Sequence, residues 1–129
     1  MEHLKIEATK HTPGINYISE DNTLEITGMS YPSDAADFYT PFFDWVENYL
    51  ELMTDQKFTV NIELSYLNSS SSKIIWDFFE MLEQEVDKEK NISVNWIYDE
   101  DDDDKLELGE DFKEDFESLP FNLVKKNEV

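Results

Sequence analysis

Four consecutive hydroxyl side chains, Ser69 to Ser72, stand between Asn68 and Lys73 in the stretch 57–82, KFTVNIELSYLNSSSSKIIWDFFEML. A serine hydroxyl does two kinds of chemistry: it attacks as a nucleophile when a general base stands beside it, or it accepts a phosphoryl group. The first needs a partner that the chain does not nominate. Its histidines, His3 and His11, lie in a weakly patterned N-terminal region, and its three glycines form no phosphate-cradling loop. Carboxylates are so abundant that pairs of them carry no specificity. No catalytic residue is therefore assigned, and no cofactor is implied. Two readings of the serines stay open. One is a helix cap, in which short polar side chains accept hydrogen bonds from the free N–H groups of a first turn. The other is a phosphoacceptor: a phosphate at a helix start is favoured by the dipole and the open N–H groups, and it adds a charge of about −2 without melting the helix.

The flanking residues must position this run. Phe58, Val60, Ile62, Leu64 and Tyr66 alternate with Thr59, Asn61, Glu63 and Ser65, the period of a strand with one face buried. Beyond the serines, Ile75, Phe78, Phe79, Leu82 and Val86 recur at helical spacing. Trp76 sits beside this stripe and reads equally as a core-edge aromatic or a partner contact. Ile92, Val94, Trp96 and Tyr98 alternate again, so strand, helix and strand predict a crossover joining parallel neighbours. Upstream, Leu4 to Ala8 predict a short strand, and Ile15 to Ser19 with Thr23 to Thr27 predict a hairpin that ends at Gly28 to Ser33. Between Asp34 and Met53 the stripe Phe38, Phe42, Val46, Tyr49, Leu50 and Met53 predicts a helix. Pro41 moves its expected regular start to Tyr39 or Thr40. Leu106, Leu108, Phe112 and Phe116 predict a third helix, weakened at Gly109 and stopped by Pro120. Phe121 to Val124 read as a closing strand or ordered tail, with fraying expected from about Lys125. Because both well-patterned strands alternate, helices should cover one face of the sheet and solvent the other.

The 129 residues suit a single α/β domain spanning 1–129, and 31 acidic against 10 basic side chains leave a formal charge of −21. Nucleic acid and anionic membrane surfaces would be repelled, whereas a basic protein surface would be steered in. With no cysteine, disulfides and thiolate metal sites are excluded. No run of signal-peptide or membrane-spanning length occurs, and a cytoplasmic location is expected. Asp99 to Asp104 place carboxylates near a calcium-loop register, but Asp104 occupies the place where a turn glycine belongs. The run reads as a solvated loop, and no metal site is assigned.

The segment Tyr66-Leu67-Asn68-Ser69-Ser70-Ser71-Ser72-Lys73 resembles the Y-L-N-[ST]-S-S-x-K stretch of the SiaC family of bacterial regulatory phosphoproteins. Thr12-Pro13, Ser30-Tyr31-Pro32, Asp44-Trp45-Val46, Trp96 with Tyr98-Asp99, and Phe112 to Asp115 with Pro120-Phe121 extend the likeness in order along the chain. The resemblance implies a STAS-like fold similar to anti-sigma-factor antagonists, a mixed β-sheet with helices packed on one face. It implies partner switching: a dedicated kinase phosphorylates the residue after the asparagine, a PP2C-type phosphatase removes the phosphate, and the unmodified protein stimulates a diguanylate cyclase. The acceptor maps to Ser69, with Ser70 second because this chain offers four hydroxyls and Ser69 stands where the family has threonine. Asn68, Ser69, Ser70, Ser71, Ser72, Lys73 and Trp76 form the expected partner-binding surface. The alternative from another class is a constitutive acidic protein-binding module or nucleic-acid mimic, which would be indifferent to serine substitution.

Overall fold

A computed structural model describes His3 to Lys126. The chain runs β1 (Lys5–Ile6), β2 (Gly14–Ile18), β3 (Thr23–Ser30), α1 (Ala35–Leu52), β4 (Phe58–Leu67), α2 (Ser69–Val86), β5 (Ile92–Asp99), α3 (Asp103–Asp115) and β6 (Phe121–Lys126). The strands lie in sequence order in one mixed sheet; β1 to β3 pair antiparallel and β3 to β6 pair parallel. Each parallel step is bridged by one helix, and the helices pack on one face, as the alternation requires. Phe58, Val60, Ile62 and Leu64 of β4 and Ile92, Val94 and Trp96 of β5 are buried under them. Phe79 of α2 meets Phe112, Phe116 and Phe121 with ring centroids 5.1, 6.0 and 5.2 Å away, which ties α2 to α3 and β6. Phe42 against Phe78 at 5.0 Å ties α1 to α2.

The other face carries a polar row set by register: Asn16, Glu25, Asn61, Asn95 and Asn122 lie side by side across five strands. Asn122 Nδ2 donates to Asn95 Oδ1 at 3.1 Å, and Asn95 Nδ2 donates to Asn61 Oδ1 at 2.8 Å. These side chains satisfy one another as well as water, so this face needs no cover.

Four sequence expectations are corrected. The first helix begins at Ala35, not near Tyr39 or Thr40, because Asp34 caps it by accepting from the Asp37 N–H at 3.0 Å. Pro41 then lies inside the helix on its exposed face, as does Asp37, whose carbonyl loses its donor at the solvent side rather than against the core. β3 continues to Ser30 past Gly28, whose φ of +110° places it at a register shift. Asp99 to Asp104 are not one loop: Asp99 ends β5, Asp102 caps α3 by accepting from the Lys105 N–H at 3.1 Å, and Asp103 and Asp104 fill its first turn, where negative charge is stabilised. β6 extends to Lys126, paired with Asp99, beyond the point where fraying was expected; Asn127 to Val129, the rest of that tail, lie outside the described residues.

Gly109 marks the closest approach of α3 to the sheet. A Cβ there would stand 2.5 Å from Trp96 Cδ1 and 2.8 Å from Leu123 Cδ2. Gly109→Ala should therefore cost about 1–3 kcal/mol in urea unfolding, against a gain of about 1 kcal/mol if helix propensity alone decided. A stabilised variant would show that α3 does not press on Trp96. At the other end of the layer, Lys90 Nζ donates to Glu85 Oε1 at 2.6 Å and to the Leu50 carbonyl. Burial works to raise the Glu85 pKa, but hydrogen bonds from Lys90 and Lys88 outweigh it and hold the carboxyl below the usual glutamate range. A depressed folded pKa contributes stability above the unfolded value and loses it as pH falls through the folded one. The deficit of Glu85→Gln relative to the parent, about 1–2 kcal/mol at neutral pH, should thus shrink on acidification through that range. A deficit unchanged by acid would remove the charge from the account.

Candidate functional site

The site is built where β3, β4, α1 and α2 end or begin together. Asn68 is the residue before α2, and its side-chain Oδ1 accepts from the Ser71 N–H at 2.9 Å while its carbonyl accepts from the Ser72 N–H at 2.9 Å. The cap is therefore the asparagine, and the four serines are the first turn of the helix. The N–H groups of Ser69 and Ser70 have no protein acceptor among the described residues and face outward, the ordinary condition of a helix start.

Helical geometry then divides the serines. Ser71 is fully buried and Ser72 half-buried, while Ser69 and Ser70 are exposed. Ser71 Oγ accepts from Ser30 Oγ at 2.7 Å, and Ser30 Oγ lies 2.6 Å from the Tyr39 hydroxyl. The proton of Ser30 is committed to Ser71, so Tyr39 is the donor to Ser30. Burial pushes the Tyr39 pKa up, the Ser30 hydrogen bond pulling partly back, and the phenol stays protonated in that role. The Ser30 carbonyl also accepts from the Asn68 N–H at 3.0 Å. One residue at the end of β3 thus grips the start of α2 through both backbone and side chain. Ser71, expected on the partner surface, belongs instead to this internal chain, because a 100° step per residue cannot keep all four hydroxyls on one side.

The remaining expected residues share a stripe. Lys73, one turn beyond Ser69, bonds Asp77 Oδ1 at 2.8 Å and lies 5.4 Å from the Trp76 ring centroid. Trp76 is half-buried; its ring packs on Phe116 at 5.1 Å and its Nε1 donates to Asp115 Oδ2 at 3.2 Å. It joins α2 to α3 while keeping an edge outward. Ser69, Ser70, Lys73 and Ile74 form one wall of a groove of about 520 Å³ whose other wall is Ser33 to Ala36 at the start of α1. Two helix N-termini therefore flank it, and Lys73 is its one cation. An added phosphate there meets the helix dipoles and Lys73, itself paired with Asp77, on the serine side and the Asp34 carboxylate across the groove.

Sequence reasoning missed Ser30 and Tyr39. Ser30 follows an exposed Met29 in a strand and carries no mark of burial; Tyr39 reads as one more aromatic of the helix. It also placed Tyr66 with the buried set. Leu64 pairs Gly28 but Tyr66 pairs Met29, so Ser65 is an extra residue, and from there the alternation reverses: Tyr66 is 48 % exposed and Leu67 turns in. Among the described residues no group of three His, Cys, Asp or Glu side chains is placed to hold a metal, and no helix is long and apolar enough to cross a membrane.

The chain matches the SiaC family regulatory phosphoprotein profile over residues 6–126. It is 32% identical over 128 residues, 99% of this chain and 100% of the relative, to an uncharacterised protein of Pseudomonas aeruginosa strain UCBPP-PA14. The fold superposes with a TM-score of 0.88 on a chain in the crystal structure of the diguanylate cyclase SiaD in complex with its activator SiaC from Pseudomonas aeruginosa, at 32% identity, covering 95% of this chain and 99% of that one. Against apo-SiaC from the same organism the TM-score is 0.85 at 31% identity, covering 96% and 99%. A match that spans nearly all the described residues, on a fold that places the Asn-Ser-Ser run at an open helix start, shows that the chain belongs to the SiaC family of regulatory phosphoproteins.

Proposed function

We propose that this chain works, as one domain over 1–129, as a phosphorylation-controlled partner switch whose unmodified form stimulates a diguanylate cyclase. It is a regulatory protein, not itself a catalyst. The observation that carries the reading is the pair of exposed hydroxyls, Ser69 and Ser70, at the open N-terminus of α2, over a first turn anchored from beneath by Ser71. A phosphate added there changes surface charge without disturbing the core. Ser69 is the acceptor, with Ser70 second. A cognate kinase adds the phosphate and a PP2C-type phosphatase removes it. The cyclase as target rests on the similarity to SiaC, described as the activator of SiaD. Lys73 and Trp76 lie along the same stripe and extend the contact surface past the serines. A partner that meets this surface unmodified would meet about two added negative charges after phosphorylation, enough to expel a group already docked there.

Incubation with the cognate kinase and ATP, followed by peptide mass mapping, should place phosphate on Ser69 or Ser70 and none on Ser71; modification only outside the 69–72 run would remove the mechanism. Ser69→Asp should weaken cyclase binding about tenfold or more while leaving the circular dichroism and melting temperature near those of the parent. Ser71→Ala leaves the Ser30 hydroxyl without its acceptor and should lower stability by about 1–3 kcal/mol while Ser69 is still labelled. Loss of labelling in a folded Ser71→Ala protein would make Ser71 the acceptor instead.

A further inference from the structure

A second groove, of about 540 Å³, lies between the turn at Thr9 to Thr12 and the start of α1. It shares Ser33 and Asp34 with the serine groove, so the two are continuous around the N-terminus of α1. Its walls are of two kinds. His11, Tyr31 and Phe38 are aromatic, and Asp34 and Asp37 are carboxylates. The walls are held in place. Thr9 Oγ1 accepts from the His11 and Thr12 N–H groups at 3.1 and 3.0 Å, and the Tyr31 N–H donates to the His11 carbonyl at 2.7 Å. Tyr31 is fixed edge to face between His11 at 5.0 Å and Tyr66 at 5.4 Å.

The carboxylates have partial local duties. Asp34 uses one oxygen to cap α1, and Asp37 gains from the helix dipole. Neither forms a salt bridge among the described residues, in a chain whose few cations are mostly engaged elsewhere. Two carboxylates next to aromatic rings in a concave site complement one kind of side chain. A guanidinium stacks on an aromatic ring and pairs with carboxylates through a planar fork, which an ammonium does less well.

We propose that this groove receives an arginine side chain presented by a segment of a partner protein. The exposed Tyr66, turned outward by the extra residue Ser65, packs on Tyr31 and forms an apolar rim beside it. The inference rests on the chain being a protein-binding regulator, but not on which serine is modified or whether any is.

The test uses the full, unmodified chain, isotope-labelled, titrated by NMR with arginine blocked at both its amino and carboxyl ends. Saturable shifts should concentrate on Tyr31, Asp34, Asp37 and Phe38. Blocked lysine should bind about threefold more weakly or less tightly still, and blocked glutamine should not bind. Tyr31→Ala and Asp37→Asn should each reduce the affinity about fivefold or more, while Asp77→Asn on α2 leaves it unchanged. Shifts spread over the whole acidic surface, no saturable shifts, or blocked lysine binding as tightly as blocked arginine would overturn the proposal. Each of these readings is independent of the serine labelling, so either idea can fail alone.

Discussion

Ser30 is the residue through which the end of the sheet controls the start of α2. Its carbonyl takes the Asn68 N–H, its hydroxyl donates to Ser71, and Tyr39 of α1 donates to it in turn. The chain of hydroxyls is buried, and a buried polar group without a partner costs about 1–3 kcal/mol, so the arrangement is strongly selected over any that leaves one unpaired. Fixing Ser71 inward fixes the helix rotation. Ser69 and Ser70 must then face solvent, and Lys73 and Trp76 follow them along the same side. The exposure of the Ser69 and Ser70 hydroxyls is thus a consequence of one that is hidden.

That coupling bears on how the proposed charge-based switch would sit on a protein that already carries −21. More negative charge on an acidic surface is ordinarily unfavourable. Here it would arrive beside the open N-terminus of α2 and Lys73, which offset part of the repulsion from Asp34 and the rest of the acidic surface. The core beneath, aromatic from Phe42 through Phe78 to Phe121, has no part in accommodating it. A switch of this kind changes what a partner meets without changing the fold.

The open face of the sheet is organised by a different device. The asparagine row keeps its centre polar and mutually bonded. At the end nearest the serines, the extra residue Ser65 reverses the alternation of β4 and turns Tyr66 outward, beside the Met29 that the unbroken alternation of β3 already exposes. A β-bulge re-aims side chains at little cost to the ladder, and here it brings an aromatic surface to the same end of the molecule as α2's open N-terminus.

Composition and periodicity alone determined the acidic character, the helix between the two best strands, the one-sided sheet and the position of the serine run at a helix start. These are local or repeating features: alternation at two residues, apolar recurrence near four, and an asparagine before a hydroxyl run each express themselves within a few residues. Pro41 misled because a proline's cost depends on which face of the helix it occupies, and that face is set by packing. The acidic run misled in the same way, since capping and dipole effects depend on where α3 begins. Tertiary structure alone decided which serine is buried, that Ser30 and Tyr39 hold it, and that Tyr66 faces out. Each of these turns on contacts between segments far apart in the chain, Ser30 with Ser71 above all, and no spacing within either segment encodes the presence of the other.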